Sequence, residues 1–157
     1  MNSTQLIKIP TLKFSNWVLW HERKNLENKK FPGVYLIAIS NKELSGKIPT
    51  YNEVSYIGMT NSKNGLYGRW SQFNRSIHGK TGHSGGNTVY KKLGHYDDWP
   101  KNLKLYVSSM PVECNTSKPT KDDLLKMGWV TYLEYNAFSE FMASHNTNQN
   151  KPEYNKR

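Results

Sequence analysis

Two short β-rich runs, each next to residues that interrupt regular structure, constrain the fold of this chain more than any other feature. The first covers residues 33–39 and follows a proline, and the second covers residues 55–58 and leads into a polar stretch. The segment between them, 41–52, is rich in Gly, Pro, Asn and Lys, which predicts a hairpin connection between two antiparallel strands. Such pairing can bring Tyr35 and Tyr56, one on each strand, to the same surface of a sheet.

The remaining sequence alternates helix-like and strand-like patterns. Alternation of polar and apolar residues over 102–107 predicts a third strand. Acidic residues just after Thr120 favour a helix start there, and this helix is expected to reach about Ser144. Shorter helices are predicted over 17–28 and 87–95. A further helix follows the second strand, and its apolar residues at helical spacing define a buried stripe: Leu66, Trp70, Phe73 and Ile77.

These elements predict an α+β fold, in which a small, three-stranded, mainly antiparallel sheet is flanked by helices. The 157 residues are enough for a single domain, with 1–30 as a helical lead-in and 31–157 as its core. We expect no membrane association, because no apolar run approaches membrane-spanning length and the N-terminus lacks the pattern of a secretion signal. The single cysteine, Cys114, cannot form an internal disulfide, so a cytoplasmic location is expected.

The chain is strongly basic. Its formal net charge is +10, from 22 Lys and Arg against 12 Asp and Glu. A chain of this charge favours a polyanionic partner, because each phosphate that a cation neutralises releases condensed counterions. Charge alone does not separate a nucleic-acid-binding protein from a merely basic one, so the partner has to be argued from motifs.

The motif order gives that argument. Gly33-Val34-Tyr35 is followed by Tyr56-Ile57-Gly58, then by Leu66-x-x-Arg69 and by Glu134 on a predicted helix. This set resembles the GIY-YIG nuclease family over the chain from about residue 31 to the C-terminus. The resemblance implies a GIY-YIG-like fold and metal-dependent hydrolysis of DNA phosphodiester bonds, with one Mg²⁺ or Mn²⁺ ion per active site and with Glu134 as the metal ligand.

Glu134 also stands out on the residue pattern alone. On a helical wheel it lies on the same face as four apolar residues, and a carboxylate within an apolar stripe costs several kcal/mol unless it is paired, protonated or bound to a cation. Either Glu134 is functional, or it is a partly exposed residue or an ion-pair partner of Arg69. The four apolar residues are Met127, Val130, Phe138 and Phe141.

Arg69, Tyr35 and Tyr56 each have a catalytic and a structural interpretation as well. The planar guanidinium of Arg69 suits bidentate contact with a scissile phosphate, unless it pairs with Glu134. Tyr35 and Tyr56 are ordinary sheet aromatics unless their order with Arg69 and Glu134 is functional. The resemblance implies that one phenol accepts a proton from the attacking water while the other orients it, with Tyr35 slightly favoured as the base.

Histidines near the predicted arginine helix are further candidates. Members of the family often have a histidine one turn after the arginine, but Phe73 stands there in this chain. His83 is the better candidate of the two histidines that follow, because it precedes Ser-Gly-Gly and a glycine-rich loop lets backbone approach phosphate. A solvated loop histidine is the alternative, and His78 is a candidate DNA contact.

Other departures from the family suggest where DNA contacts lie. The connection between the tyrosine motifs is longer than is usual in the family, so its lysines form a candidate binding loop; they are Lys42 and Lys47. Met59 stands where many relatives have lysine or glutamine, and Lys63 or Lys80 would supply the missing cation. A terminal asparagine in a Pro-x-x-Asn pattern recurs in the family, and Asn155 fits this pattern although it lies farther from Glu134 than is usual; Asn146 and Asn148 compete with it.

The function expected from these residues is that of a restriction-type, metal-dependent endonuclease acting on double-stranded DNA. A homodimer would let two active centres address the two strands. Two alternatives remain open at this point: a catalytically inactive, basic nucleic-acid-binding module, and a phage or repair nuclease that recognises DNA structure.

Overall fold

The computed structural model of the chain describes residues 8–145 and 150–156. Four antiparallel strands form one sheet in the order β1-β4-β2-β3, with α-helices on both faces. The strands are β1 (Val18–Leu19), β2 (Gly33–Ser40), β3 (Tyr56–Thr60) and β4 (Lys104–Pro111), and the helices are α1 (Gly65–Ile77), α2 (Ser84–Leu93) and α3 (Lys121–Ser144). Three short 3₁₀ helices cover Trp20–Asn25, Tyr51–Glu53 and Tyr96–Asp98.

The two central strands set the frame of the sheet. β2 and β4 pair along their whole length, from Gly33 opposite Pro111 to Ser40 opposite Lys104. Gly33 is required by this pairing, because a Cβ atom at its position would lie 2.3 Å from the carbonyl oxygen of Met110. Among the described residues, β3 pairs with β2 alone and is therefore an edge strand of the sheet.

The α+β class is confirmed, but the expected number of three strands was wrong. The helix predicted over 17–28 is replaced by β1, which pairs with β4, and by the 3₁₀ helix Trp20–Asn25. The reason lies in two tryptophans: Trp17 and Trp20 are both buried, but in cores on opposite faces of the sheet. A helix would have put residues three apart on one side, whereas extended backbone sends them to opposite sides.

Each face of the sheet has its own core. One face packs on α3 through a stripe of buried residues: Val130, Leu133, Ala137 and Phe141. The other face packs on α1 and α2 and carries both Tyr35 and Tyr56. All four apolar residues of the predicted α1 stripe are fully buried there, which confirms that prediction.

Other predicted elements were found with shifted limits. The helix predicted over 87–95 begins earlier, at Ser84, and the strand predicted over 102–107 continues to Pro111. Thr120 caps α3, since its hydroxyl accepts a hydrogen bond from the Asp123 amide. Within residues 8–145 and 150–156, no helix combines the length and the apolarity needed to cross a membrane.

The close packing of β2 on β4 can be tested at two glycines, one in a crowded position and one in an open position. We expect Gly33→Ala to destabilise the fold by about 2–3 kcal/mol or more, because the new methyl group meets backbone of β4. Gly128→Ala is the matched control. Gly128 lies inside α3, and outside the backbone of that helix a Cβ atom would meet no described residue within 4 Å, so alanine should stabilise by about 0.5–1 kcal/mol. Urea unfolding measures the free energy of unfolding of each variant relative to wild type. Equal effects of the two changes would contradict the β2–β4 packing described here.

Candidate active site

Tyr35 and Tyr56 lie side by side on the sheet face covered by α1 and α2. Their ring centroids are 6.1 Å apart, as the predicted hairpin pairing requires. Gly58 is opposite Tyr35 in the register, and a Cβ atom there would lie 2.5 Å from the Tyr35 hydroxyl and 2.8 Å from Cε1 of Tyr56. A side chain at position 58 would therefore separate the two phenols, so glycine is needed for them to approach.

His83 is buried against these two tyrosines and forms a hydrogen bond with Tyr35. Its Nε2 lies 2.7 Å from the hydroxyl of Tyr35, and its Nδ1 accepts a hydrogen bond from the Gly86 amide at 3.2 Å. The Gly86 amide can only donate, so Nδ1 carries no proton. Burial, with Arg69 nearby, lowers the pKa of His83 to about 3, so the ring is neutral with its proton on Nε2. His83 therefore donates to the Tyr35 oxygen.

His83 lies beside Phe73, the position on α1 at which the resemblance implied a histidine. The rings of Phe73 and His83 contact each other, with centroids 5.1 Å apart. The imidazole thus reaches the space beside Phe73 from the N-terminus of α2. The alternative of a loose, solvated histidine is excluded for His83, which is 1 % exposed.

The glycines after His83 do not form the open phosphate-binding loop that the sequence predicted. Ser84, Gly85 and Gly86 are the first turn of α2. A Cβ atom at Gly85 would lie 2.3 Å from the Tyr56 ring, and one at Gly86 would lie 2.6 Å from Ser76. Tyr56 and residues of α1 fill the space above these glycines, so α2 packs tightly on both.

Arg69 lies half-buried on α1, near the tyrosines. Its Nη1 donates a hydrogen bond to Oε1 of Gln72 at 2.5 Å. Burial and the neighbouring Tyr56 raise the pKa of Tyr35 well above its usual value, while Arg69 acts in the opposite direction. Among the residues that the structure describes, Arg69 forms no ion pair with Glu134, so the structural interpretation of both as mutual partners does not apply here.

Glu134 reaches the site around the edge strand, since α3 packs on the opposite face of the sheet from the tyrosines. Met127, Glu134 and Phe138 form a half-buried flank of α3, beside the fully buried face that contains Val130 and Phe141. Glu134 makes no hydrogen bond or ion pair with any other described residue. Burial raises the pKa of its carboxyl from 4.5 to about 7, although Arg69 opposes this shift.

Tyr56 and Glu134 line one open cleft of about 680 Å³. Tyr35, Arg69 and His83 do not line it: Tyr35 and His83 are buried and contact Tyr56, and Arg69 lines a separate depression of about 310 Å³ with Gln72. Three residues that the sequence analysis missed also line the main cleft, namely Tyr135, Lys151 and Lys156. The sequence signal for the lysines was their position on either side of the Pro-x-x-Asn pattern.

Asn155 completes the edge strand instead of offering its amide to a ligand. Its Oδ1 accepts from the Ile57 amide and its Nδ2 donates to the Ile57 carbonyl, both at 2.9 Å. The neighbouring Tyr154 amide donates to the Ser55 carbonyl at 3.0 Å. These bonds bring the C-terminal segment to the mouth of the cleft. The competing candidates Asn146 and Asn148 lie outside the described residues.

The other candidate DNA contacts lie away from this cleft. Lys42 and Lys47 belong to the β2–β3 connection, where the Lys47 carbonyl accepts from the Trp17 amide. His78 lies beside His95, with its Nδ1 2.6 Å from the carbonyl of Asn74. Lys63 and Lys80 are exposed in the turns before and after α1. Contacts of these five residues with DNA stay predictions.

A single metal ion fits the donors of the cleft. No group of three or more His, Cys, Asp or Glu side chains that could hold a metal occurs within 8–145 and 150–156, and Glu134 is the one carboxylate among the described residues that line the cleft. An ion such as Mg²⁺ keeps several waters and binds through one or two carboxylates plus phosphate oxygens. The unpartnered Glu134 carboxylate, facing an open cleft, is compatible with such a shell.

Comparisons of the chain with models of known protein families, with curated proteins and with solved structures found no match. The likeness to the GIY-YIG family therefore stays a resemblance of motifs.

The stability of Glu134→Gln relative to the wild-type protein should depend on pH. Below about pH 4.5 the Glu134 carboxyl is protonated in both the folded and the unfolded chain. As the pH rises to about 7, only the unfolded chain ionises, so the wild-type fold loses stability that the glutamine variant keeps. The variant should gain about 1–2 kcal/mol over wild type across this window, after allowance for solvent screening.

Urea unfolding without metal, at about pH 4 and about pH 8, measures this difference. Glu113→Gln, at an exposed position, is the control and should show no such trend. A Glu134→Gln difference that is the same at both pH values would mean that burial does not perturb this carboxyl.

Proposed function

We propose that the chain is a metal-dependent DNA endonuclease of the GIY-YIG type, most economically a restriction-type enzyme. The observation that carries the proposal is the cleft that joins Glu134 to Tyr56. A half-buried carboxylate with no partner among the described residues is costly to the fold, and a cation-binding role accounts for its presence. The +10 net charge supports DNA as the partner that brings phosphate to this cleft.

A Mg²⁺ or Mn²⁺ ion held by Glu134 would supply Lewis-acid stabilisation of the phosphate and lower the pKa of a bound water. The protein's own contribution begins with Arg69. Arg69 lies close enough to Tyr56 and Glu134 to oppose the rise that burial causes in the pKa of both, and its hydrogen-bond partner is the neutral Gln72. It can therefore turn its remaining donors toward a scissile phosphate and stabilise the charge that develops there in the transition state.

We assign the contact with the attacking water to Tyr56 and not to Tyr35, which the sequence slightly favoured. Tyr56 is 8 % exposed and lines the cleft, whereas Tyr35 is 0 % exposed and bound to His83. Because His83 donates to the Tyr35 oxygen, the Tyr35 proton is left for another acceptor. Burial raises the pKa of Tyr56 above its usual value, and Arg69 opposes this shift without reversing it. His83 thus holds the Tyr35 ring against Tyr56, and Arg69 is the nearby cation that opposes the raised pKa of Tyr56.

The alternatives differ from this proposal in what they require of the cleft. A binding module without catalysis has no use for the Glu134 carboxylate, whereas it does need the basic surface. A phage or repair nuclease would use the same chemistry on a different DNA structure. Cleavage of both strands would need a second copy of the chain, so a homodimer on double-stranded DNA belongs to the restriction-type proposal.

Loss of the Glu134 charge should abolish cleavage without unfolding the protein. Plasmid DNA is incubated with the protein and Mg²⁺ or with chelator, and the ends of any products are mapped. We expect wild type to cut only with the metal and Glu134→Gln to cut not at all, with thermal stability equal to or above wild type. Glu113→Gln, which is exposed and outside the cleft, should cut like wild type. Full activity of a folded Glu134→Gln would remove Glu134 from the site.

Removing single hydroxyls separates the roles of the tyrosines. Tyr56→Phe should lower the single-turnover cleavage rate by about 10²- to 10⁴-fold, as expected for a lost proton acceptor, with little change in DNA binding. Tyr35→Phe should have a smaller effect, because it removes only the support of Tyr56. Tyr132→Phe, at an exposed position of α3 outside the cleft, is the control. The larger loss in Tyr35→Phe would return the role of base to Tyr35, and wild-type rates in both would make the tyrosines core residues.

A further inference from the structure

Tyr135 is an exposed aromatic residue at the mouth of the catalytic cleft. It follows Glu134 in the chain, is 68 % exposed and lines the same cleft. Another tyrosine of α3, Tyr132, is 51 % exposed but does not line the cleft. An exposed tyrosine alone needs no explanation. Tyr135 differs from Tyr132 because it lines the same cleft as the proposed metal ligand, where a bound substrate would meet its ring.

The cleft is larger than contact with a phosphodiester requires. Its volume of about 680 Å³ is in the range of sites that enclose a small molecule. The aromatic rings of Tyr135 and Phe138 form part of its lining, and Lys151 and Lys156 of the C-terminal segment form another part. Aromatic rings and cations within one cleft match the two ends of a nucleotide, whose base has an apolar face and whose phosphate is anionic.

We propose that this cleft binds one unpaired nucleotide next to the scissile phosphate, with its base stacked on Tyr135 and its phosphate in contact with Lys151 and Lys156. A tyrosine ring can stack on a base only when that base is outside the duplex stack. In a duplex substrate this nucleotide must leave the stack, and a single-nucleotide bulge presents such a nucleotide without the cost of unpairing it. The link to cleavage rests on the proposed function, whereas the binding of the unpaired base does not.

Binding is tested without metal, so that no cleavage is needed for the measurement. Two DNA duplexes of the same sequence carry 2-aminopurine, in one as a bulged nucleotide and in the other as a paired one. Wild type should bind the bulged duplex more tightly and quench its fluorescence. Tyr135→Ala should weaken binding of the bulged duplex about 5- to 150-fold, which corresponds to the loss of one stacked base. Tyr135→Phe should keep the preference, and Tyr132→Ala should bind like wild type.

Equal affinity of wild type for the two duplexes would overturn the proposal, as would a Tyr135→Ala variant that keeps the full preference. A circular dichroism melt of each variant establishes that it is folded. Cleavage of the same duplexes with Mg²⁺ then separates the two proposals. If the bulged duplex is bound through Tyr135 but neither duplex is cut, the endonuclease proposal fails and the nucleotide site stands. If both are cut with equal kcat/KM and no dependence on Tyr135, the endonuclease stands and the nucleotide site fails.

Discussion

The Tyr35 ring fills the space over Gly58 that a side chain would otherwise take, and the geometry of the site depends on this contact. It favours the observed register of β2 against β3, because a shift of β3 by one residue would put Tyr56 on the α3 face and separate it from Tyr35. It also places the hydroxyl of Tyr35 within reach of His83, whose own position depends on the close packing of α2 on Tyr56 at Gly85. A few glycine positions in strand and helix therefore hold the two phenols and the imidazole together.

The site combines groups from both faces of the sheet, and this is possible only at an edge. The tyrosines belong to the face that packs on α1 and α2, whereas Glu134 belongs to a helix on the opposite face. In the middle of the sheet the strands would separate such groups. Beside the edge strand β3, the flank of α3 and the Tyr56 ring line one cleft. The carboxylate is thus desolvated enough to raise its pKa and yet accessible to a cation from solvent.

Local patterns in the sequence predicted most of the fold. The α1 stripe, the hairpin pairing and the start of α3 after Thr120 are set by neighbouring residues, and all were found in the structure. Trp17 and Trp20 were misassigned because a spacing of three fits a helix face as well as two sides of a strand, and only pairing with β4 decides between them. Lys151 and Tyr135 were missed for another reason. These two residues line the same cleft because the C-terminal segment packs against β3, and no local sequence pattern predicts this long-range contact.

The double hydrogen bond from Asn155 to Ile57 has a consequence for how this chain behaves among copies of itself. An edge strand with unpaired backbone groups is a template on which another chain can add a strand, which leads to aggregation or domain swapping. Asn155 occupies both backbone groups of Ile57, and the Tyr154 amide occupies the Ser55 carbonyl. The C-terminal segment therefore covers part of the exposed edge of β3 with hydrogen bonds. At these positions a strand from a neighbouring molecule cannot pair with β3 unless the segment is displaced.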